Sequence, residues 1–254
     1  MLPVDLYDEI EIARLRSGKT GKGGLRVTCD DSQIPSGKGN LVYKAASLLL
    51  RQRGVRDPVH IHIRKRIPVG GGLGGGSSDA AATLLGLNRL FCLGCKRREI
   101  LSLAALLGAD VPFFIYRHPA RARGIGELLK PLPAFPRFWM VILYPGFPVS
   151  TRWVYQNLKL TKPIENTSIK ISLGNFKGLQ RLLVNDLEEV TVGRYPRIAF
   201  LKERLIQEGA AAALMSGSGS SVFGIFSAAE KARKAFRRLR KEEGVRAYLV
   251  RSLS

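Results

Sequence analysis

Three stretches of the chain carry residue types that could do chemistry. The first is Pro68-Val69-Gly70-Gly71-Gly72-Leu73-Gly74-Gly75-Gly76-Ser77-Ser78-Asp79, with six glycines in seven consecutive positions. Glycine lets the backbone take positive φ and approach a ligand closely. Where such a loop opens a helix, successive N–H groups converge and the helix end adds partial positive charge, which suits a phosphate chain. Ser77 and Ser78 put hydroxyls in the first turn, where they could cap the helix or reach a phosphate. The second stretch is Ser216-Gly217-Ser218-Gly219, a turn that could wrap the same phosphates from another side. The third is Leu107–Phe114, an apolar run with one acid, Asp110, and with Pro112 stiffening the backbone beside it. A carboxylate there could accept a proton from an alcohol or help to position a cation.

The elements that must hold these residues follow from hydrophobic spacing. Residues 8–15 and 25–29 read as short strands around a Gly/Lys-rich turn, which takes Gly18-Lys19-Thr20 as a hairpin turn. Asn40 opens a helical pattern to about Arg51, with Leu41, Ala45, Leu48 and Leu49 on one side. Val59–Arg64 alternates as a strand with Ile61 and Ile63 inside and His60 and His62 toward solvent. Helices are expected over Ser77–Leu90 and Arg97–Leu107, the second stopped by Gly108. Trp139–Tyr144 is a further strand. Residues 156–178 read as a polar connection. Beyond them come a helix (Tyr195–Gln207), two strands (Ala211–Met215 and Val222–Phe226), a helix (Ala228–Glu242) and a strand (Val245–Leu253), an α+β order with short links. Asp186, Glu188 and Glu189 are expected on a helix's polar face.

The 254 residues include 27 glycines and 13 prolines and are 45% hydrophobic, which excludes a disordered or collagen-like chain. The longest apolar runs, such as Ala210–Met215, are too short to span a bilayer. The acidic opening residues lack the basic-then-apolar pattern of a secretory leader. Three cysteines point to a reducing cytoplasm. Cys92-Leu93-Gly94-Cys95 has metal-like spacing but lacks a second pair, so no metal site is expected. The formal charge of +21 favours phosphate-bearing partners. Nine Lys/Arg fall within residues 230–251, on a helix whose inner stripe would be Ala228, Ala232, Phe236 and Leu239.

Two decoys fail on spacing. Gly70, Gly72 and Gly75 fit G-x-G-x-x-G, but no acid lies between Asp79 and Glu99 to hold a ribose. Gly18-Lys19-Thr20 looks like the end of a Walker A loop, but position 13 is Ala13 where that motif needs glycine.

Taken together, the three stretches resemble the GHMP kinases, the superfamily of galactokinase, homoserine kinase, mevalonate kinase and phosphomevalonate kinase, whose phosphate loop reads P-x-G-x-G-L-G-S-S. The G-G-G-S-S-D form, with Leu107–Pro112, is most similar to the superfamily's 4-diphosphocytidyl-2-C-methyl-D-erythritol kinase family. Gly39–Ala46, Gly124-Ile125-Gly126-Glu127 and Ser216–Gly219 match in the same order along nearly the whole chain. The resemblance implies an α+β fold: an N-terminal ribosomal-protein-S5-like domain over 1–145 and a C-terminal ferredoxin-like α/β sandwich over 146–254. It implies ATP, its phosphates along Pro68–Ser78 and its adenine bordered by Asn40, Leu41 and Lys65. Asp110 matches the catalytic aspartate, and Gly124, Ile125, Gly126, Glu127 and Tyr155 match the cytidine pocket. Mg2+ would travel with ATP and need few protein ligands. The implied reaction phosphorylates a small cytidine-diphosphate-linked substrate in non-mevalonate isoprenoid biosynthesis, in the cytoplasm, by a monomer or homodimer without membrane or nucleic-acid partners. The alternatives are another GHMP substrate, such as homoserine or a mevalonate derivative, or a basic nucleic-acid-binding protein on an S5-like fold. The family pattern opens with P-A-K-x-N-L and a Gly-Tyr-His segment, neither of which occurs here. The match begins roughly thirty residues into that pattern, so a misassigned start is the expectation.

Overall fold

The computed structural model describes residues 1–15, 24–132, 137–158 and 183–253. Gly18–Thr20 and most of the 156–178 connection lie outside the described residues. The chain divides into two units, one holding the described residues of 1–69 and 74–133, the other those of 70–73 and 134–254. The boundary therefore falls before Trp139, not at 145: the strand that begins there pairs only within the second unit.

In the first unit, strands β1 (Glu9–Arg14), β2 (Leu25–Cys29) and β3 (Val59–Arg64) form a sheet of order β1-β3-β2. β1 runs antiparallel and β2 parallel to β3. The expected hairpin between the first two strands is thus corrected, because β3 lies between them. Burial explains the order. Val59, Ile61 and Ile63 are fully buried, and Ile61 stands opposite both Ile12 and Val27, so the most apolar strand takes the centre. Helix α1 (Leu41–Gln52) forms the crossover from β2 to β3. Its start was legible: Asn40 Oδ1 accepts from the Val42 N–H at 2.8 Å, and the Asn40 amide donates to the Pro35 carbonyl. His60 and His62, expected toward solvent, are half-buried, and each ring places a nitrogen 2.9 Å from the Thr28 hydroxyl.

Helices α2 (Gly75–Leu90), α3 (Arg97–Leu107) and α4 (Val111–Tyr116) complete this core, followed by a hairpin of β4 (Ala120–Arg123) and β5 (Leu128–Pro131). α2 begins two residues before the expected Ser77. Gly74, at φ +70°, turns the chain into the helix without a side-chain cap, so Ser77 is not the cap.

The second unit contains β6 (Trp139–Tyr144), α5 (Thr151–Asn157), α6 (Leu187–Arg194), α7 (Arg197–Gln207), β7 (Ala212–Met215), β8 (Val222–Phe226), α8 (Ala229–Leu239) and β9 (Arg246–Arg251). Its antiparallel sheet has the order β7-β8-β6-β9. Counted along the chain the strands lie 2-3-1-4, the ferredoxin-like arrangement. Tyr195 ends α6 and Pro196 starts α7, so the expected helix from Tyr195 begins at Arg197. On α8 the buried stripe is Ala232, Ala235 and Leu239, while Ala228 lies exposed before the first turn. Among the described residues no helix is long and apolar enough to cross a membrane.

Candidate active site

The amino end of α2 is the focus of the first unit. Ser78 donates to the Gly74 carbonyl at 2.9 Å, which leaves the amides of Gly74 to Ser77 without intrahelical acceptors. No side chain caps them and no acid stands in the first turn, so the partial positive charge of the helix end is uncompensated there.

Packing selects glycine at two of these positions. A Cβ on Gly74 would come within 2.7 Å of the Phe114 ring. One on Gly75 would meet Ile67 at 3.0 Å and the Lys65 ammonium at 3.1 Å. Phe114 belongs to α4, the six-residue helix that Asp110 immediately precedes. Buried Val111, Pro112, Phe113 and Ile115 anchor that helix, so the apolar run around Asp110 fixes where the carboxylate stands. Asp110 is open to solvent and makes no capping bond. Protein packed around it disfavours the charged form and holds its carboxyl above the ordinary carboxylate range.

The turn Gly124–Glu127 joins β4 to β5. Glu127 Oε2 accepts from the Ile125 N–H at 2.9 Å, and a side chain on Gly124 (φ +71°) would strike that carboxylate. A Cβ on Gly126 would lie 3.6 Å from Asp110 Oδ1. The fold thus brings the hairpin tip to the lone acid, while Ile125 projects outward, 85% exposed.

A buried ionic cluster lies beneath the glycine loop. Lys65 Nζ pairs with Asp8 and, at 3.0 Å, with Asp79 on α2, and all three side chains are no more than 5% exposed. Asp8 Oδ1 also accepts from the Arg66 and Ile67 amides at 2.6 and 2.9 Å, and Asp30 accepts from the Lys65 amide at 2.8 Å. Burial, with the Asp8 carboxylate nearby, outweighs Lys65 and pushes Asp79 up to about 7. Burial alone would lower Lys65, but the two carboxylates hold it above its ordinary value. Lys65 was expected at the adenine; its ammonium is instead committed inside the protein.

In the second unit the loop tip rests on the second glycine turn. Ser216 Oγ donates to the Gly72 carbonyl at 2.9 Å, and the Ser221 amide donates to the Gly71 carbonyl at 3.0 Å. Gly72 has φ +74°, and a Cβ there would overlap the Ser216 carbonyl oxygen. Residues 216–221 therefore brace the loop tip directly. The turn is itself braced from α6. Asn185 donates to the Met215 and Gly217 carbonyls, Thr191 to the Ser218 carbonyl, and Glu188 accepts from the Met215 amide at 2.8 Å while pairing with Lys202. Tyr155 lies on α5 and is 60% exposed.

Two family models match the chain: the GHMP kinases N terminal domain over residues 40–118 and the GHMP kinases C terminal domain over 168–245. The 4-diphosphocytidyl-2-C-methyl-D-erythritol kinase of Citrifermentans bemidjiense is 47% identical, over all of this chain and 89% of that protein. The namesake from Syntrophotalea carbinolica is 46% identical over 98% of this chain and 88% of its own. A crystal structure of 4-(cytidine 5'-diphospho)-2C-methyl-D-erythritol kinase superposes with a TM-score of 0.81 at 36% identity, covering 100% of this chain and 88% of that one. The chain belongs to the 4-diphosphocytidyl-2-C-methyl-D-erythritol kinase family of GHMP kinases. A homoserine kinase from Cytophaga hutchinsonii, 19% identical over 99% of this chain and 88% of its own, shares the fold with a TM-score of 0.79.

Sequence reasoning missed several residues of this GHMP kinase. Glu188 looked like a helix's polar face, yet it holds the backbone entering the second glycine turn. Asp8 and Asp79 carried no local signal. The available hint was an aspartate placed inside an Ala/Leu-rich helical stripe, where an acid is costly unless paired.

Proposed function

We propose that this GHMP kinase transfers the γ-phosphoryl group of ATP to the 2-hydroxyl of 4-diphosphocytidyl-2-C-methyl-D-erythritol. The observation that supports this most strongly is the uncapped amino end of α2, packed on Phe114 of the short helix that follows Asp110, in a chain so similar to kinases named for that substrate. The amides of Gly74–Ser77 bind the phosphates. Pro68, Val69 and Ser78 continue that phosphate-binding stretch in the first unit, and in the second the turn Ser216–Gly219 braces the tip Gly70–Leu73. Asn40, Leu41 and the main chain at Lys65 border the adenine.

Asp110 accepts the hydroxyl proton as that oxygen bonds to the γ-phosphorus. The bond from phosphorus to the bridging oxygen breaks, and ADP leaves with the electron pair. Raising the carboxyl above its ordinary range makes it a stronger proton acceptor. Gly124–Glu127 holds the cytidine portion in the first unit; in the second, Tyr155 is an exposed aromatic face suited to stacking on a base. Mg2+ would travel on the nucleotide phosphates, needing few protein ligands, and would supply neutralisation of the charge that develops there.

The test is ADP release with MgATP and a panel of alcohols. Turnover with the cytidine-diphosphate-linked methylerythritol, and none with homoserine or mevalonate, is the expected result. Turnover of homoserine or mevalonate alone would reassign the substrate.

A further inference from the structure

We propose that Asp8, Lys65 and Asp79 act as a buried positioning triad that sets both the shape and the charge beneath the phosphate-binding end of α2, so that phosphate binding is linked to a proton held at Asp79. The proposal rests on the nucleotide-binding reading above.

The geometry is unusual for a merely structural ion pair. Two buried carboxylates share one buried ammonium, which leaves an excess negative charge when all three are ionised. One oxygen, Asp79 Oδ1, is buried without a hydrogen-bond partner. A fully satisfied structural cluster would leave no such atom.

The triad also joins the three elements that shape the loop. Asp8 precedes β1 and holds the amides of Arg66 and Ile67, the last residues before Pro68. Lys65 follows β3 directly and its ammonium lies under Gly75. Asp79 sits one turn into α2. Consecutive N–H groups at 65, 66 and 67 are all held by carboxylates, so the chain enters the glycine loop on a fixed path.

The electrostatic consequence follows from position. A triphosphate at the amino end of α2 brings negative charge toward a cluster with one carboxylate too many. Adding a proton removes that excess. Among the described residues the charged groups acting on Asp79 are Lys65 just after β3 and Asp8 from the lead into β1, with Asp30 on the Lys65 amide. Since burial already raises Asp79 toward neutrality, a nearby phosphate need only complete a protonation that the fold has begun.

The experiment is calorimetric titration of the full chain with MgADP and with MgATP at pH 6.0, 7.0 and 8.5, each in two buffers of different ionisation heat. Wild type should take up protons on binding near neutral pH, and its affinity should fall about fivefold or more by pH 8.5, a normal size for coupling between sites. Asp79→Asn preserves shape and an acceptor for Lys65 but cannot titrate. It should bind without proton uptake and without that fall. Asp8→Asn, which weakens the hold on the 66–67 amides, should raise KM for ATP more than it lowers kcat. Proton uptake that persists in Asp79→Asn, or is absent from wild type, would overturn the proposal while leaving the kinase reading intact. Failure of wild type to bind either nucleotide would overturn both.

Discussion

Replacing Gly72 with alanine should cripple nucleotide binding, although the methyl group touches no catalytic residue. At φ +74° an L-residue costs about 1 to 2 kcal/mol. The new Cβ would overlap the Ser216 carbonyl and lie 2.9 Å from that of Gly219, so the two loops must part. Parting them breaks the Ser216 hydroxyl bond to the Gly72 carbonyl and the Ser221 amide bond to the Gly71 carbonyl, worth about 1 kcal/mol each. The sum is about 3 to 4 kcal/mol of lost loop order. If the tip must be ordered to bind phosphate, affinity falls at least about a hundredfold, since every 1.4 kcal/mol is tenfold. Calorimetry with MgADP measures this directly. Gly76→Ala is the control for thermal stability, because a Cβ there meets nothing within 4 Å and alanine favours a helix by up to about 1 kcal/mol. Binding by Gly72→Ala within about threefold of wild type would refute the idea that the second turn orders the first.

Three further outcomes follow from the same contacts. Glu188→Ala strands the Met215 amide and Lys202, so the second unit should lose about 2 to 3 kcal/mol in urea unfolding, with faster hydrogen exchange at Met215; unchanged exchange would remove Glu188 from the brace. Asp79 is raised in the folded state, so its contribution to stability is full below its unfolded value near pH 4 and is lost as pH rises through about 7. Relative to Asp79→Asn, wild type should therefore lose up to about 4 kcal/mol across that window, and parallel stability curves for the two proteins would contradict the assignment. Tyr155→Ala should raise KM for the cytidine-linked substrate severalfold and leave KM for ATP in place; a reversed pattern would take Tyr155 out of the cytidine pocket.

Much of the fold was legible because its signals are local. The alternation of Val59–Arg64, the Asn40 cap and the glycine loop each depend on neighbours within a few residues. The α+β order of the second half followed from its short elements, and the ferredoxin-like arrangement that the family resemblance implied is borne out by the sheet order β7-β8-β6-β9. What stayed hidden was long-range. β1 and β2 looked like a hairpin because they are close in sequence, and only the full burial of Val59, Ile61 and Ile63 on β3 shows why it separates them. The start of α2 was placed late because serine is the stronger cap by local rules, whereas Phe114 and Ile67 decide that glycines begin the helix. Lys65 is 57 residues from Asp8 and 14 from Asp79, so nothing along the chain announces that its charge is already committed. Asp110 and the Gly124–Glu127 turn were each recognisable from sequence, but their adjacency is a product of the hairpin's fold.

The central claim is that Asp110 takes the proton from the substrate hydroxyl while the amino end of α2 holds the nucleotide. The direct measurement is the rate of ADP formation from MgATP and 4-diphosphocytidyl-2-C-methyl-D-erythritol by wild type and Asp110→Asn, with ATP affinity measured on the same samples. The account predicts a fall in kcat of about 10² to 10⁴ with ATP binding preserved. Equal rates in the two proteins would contradict it.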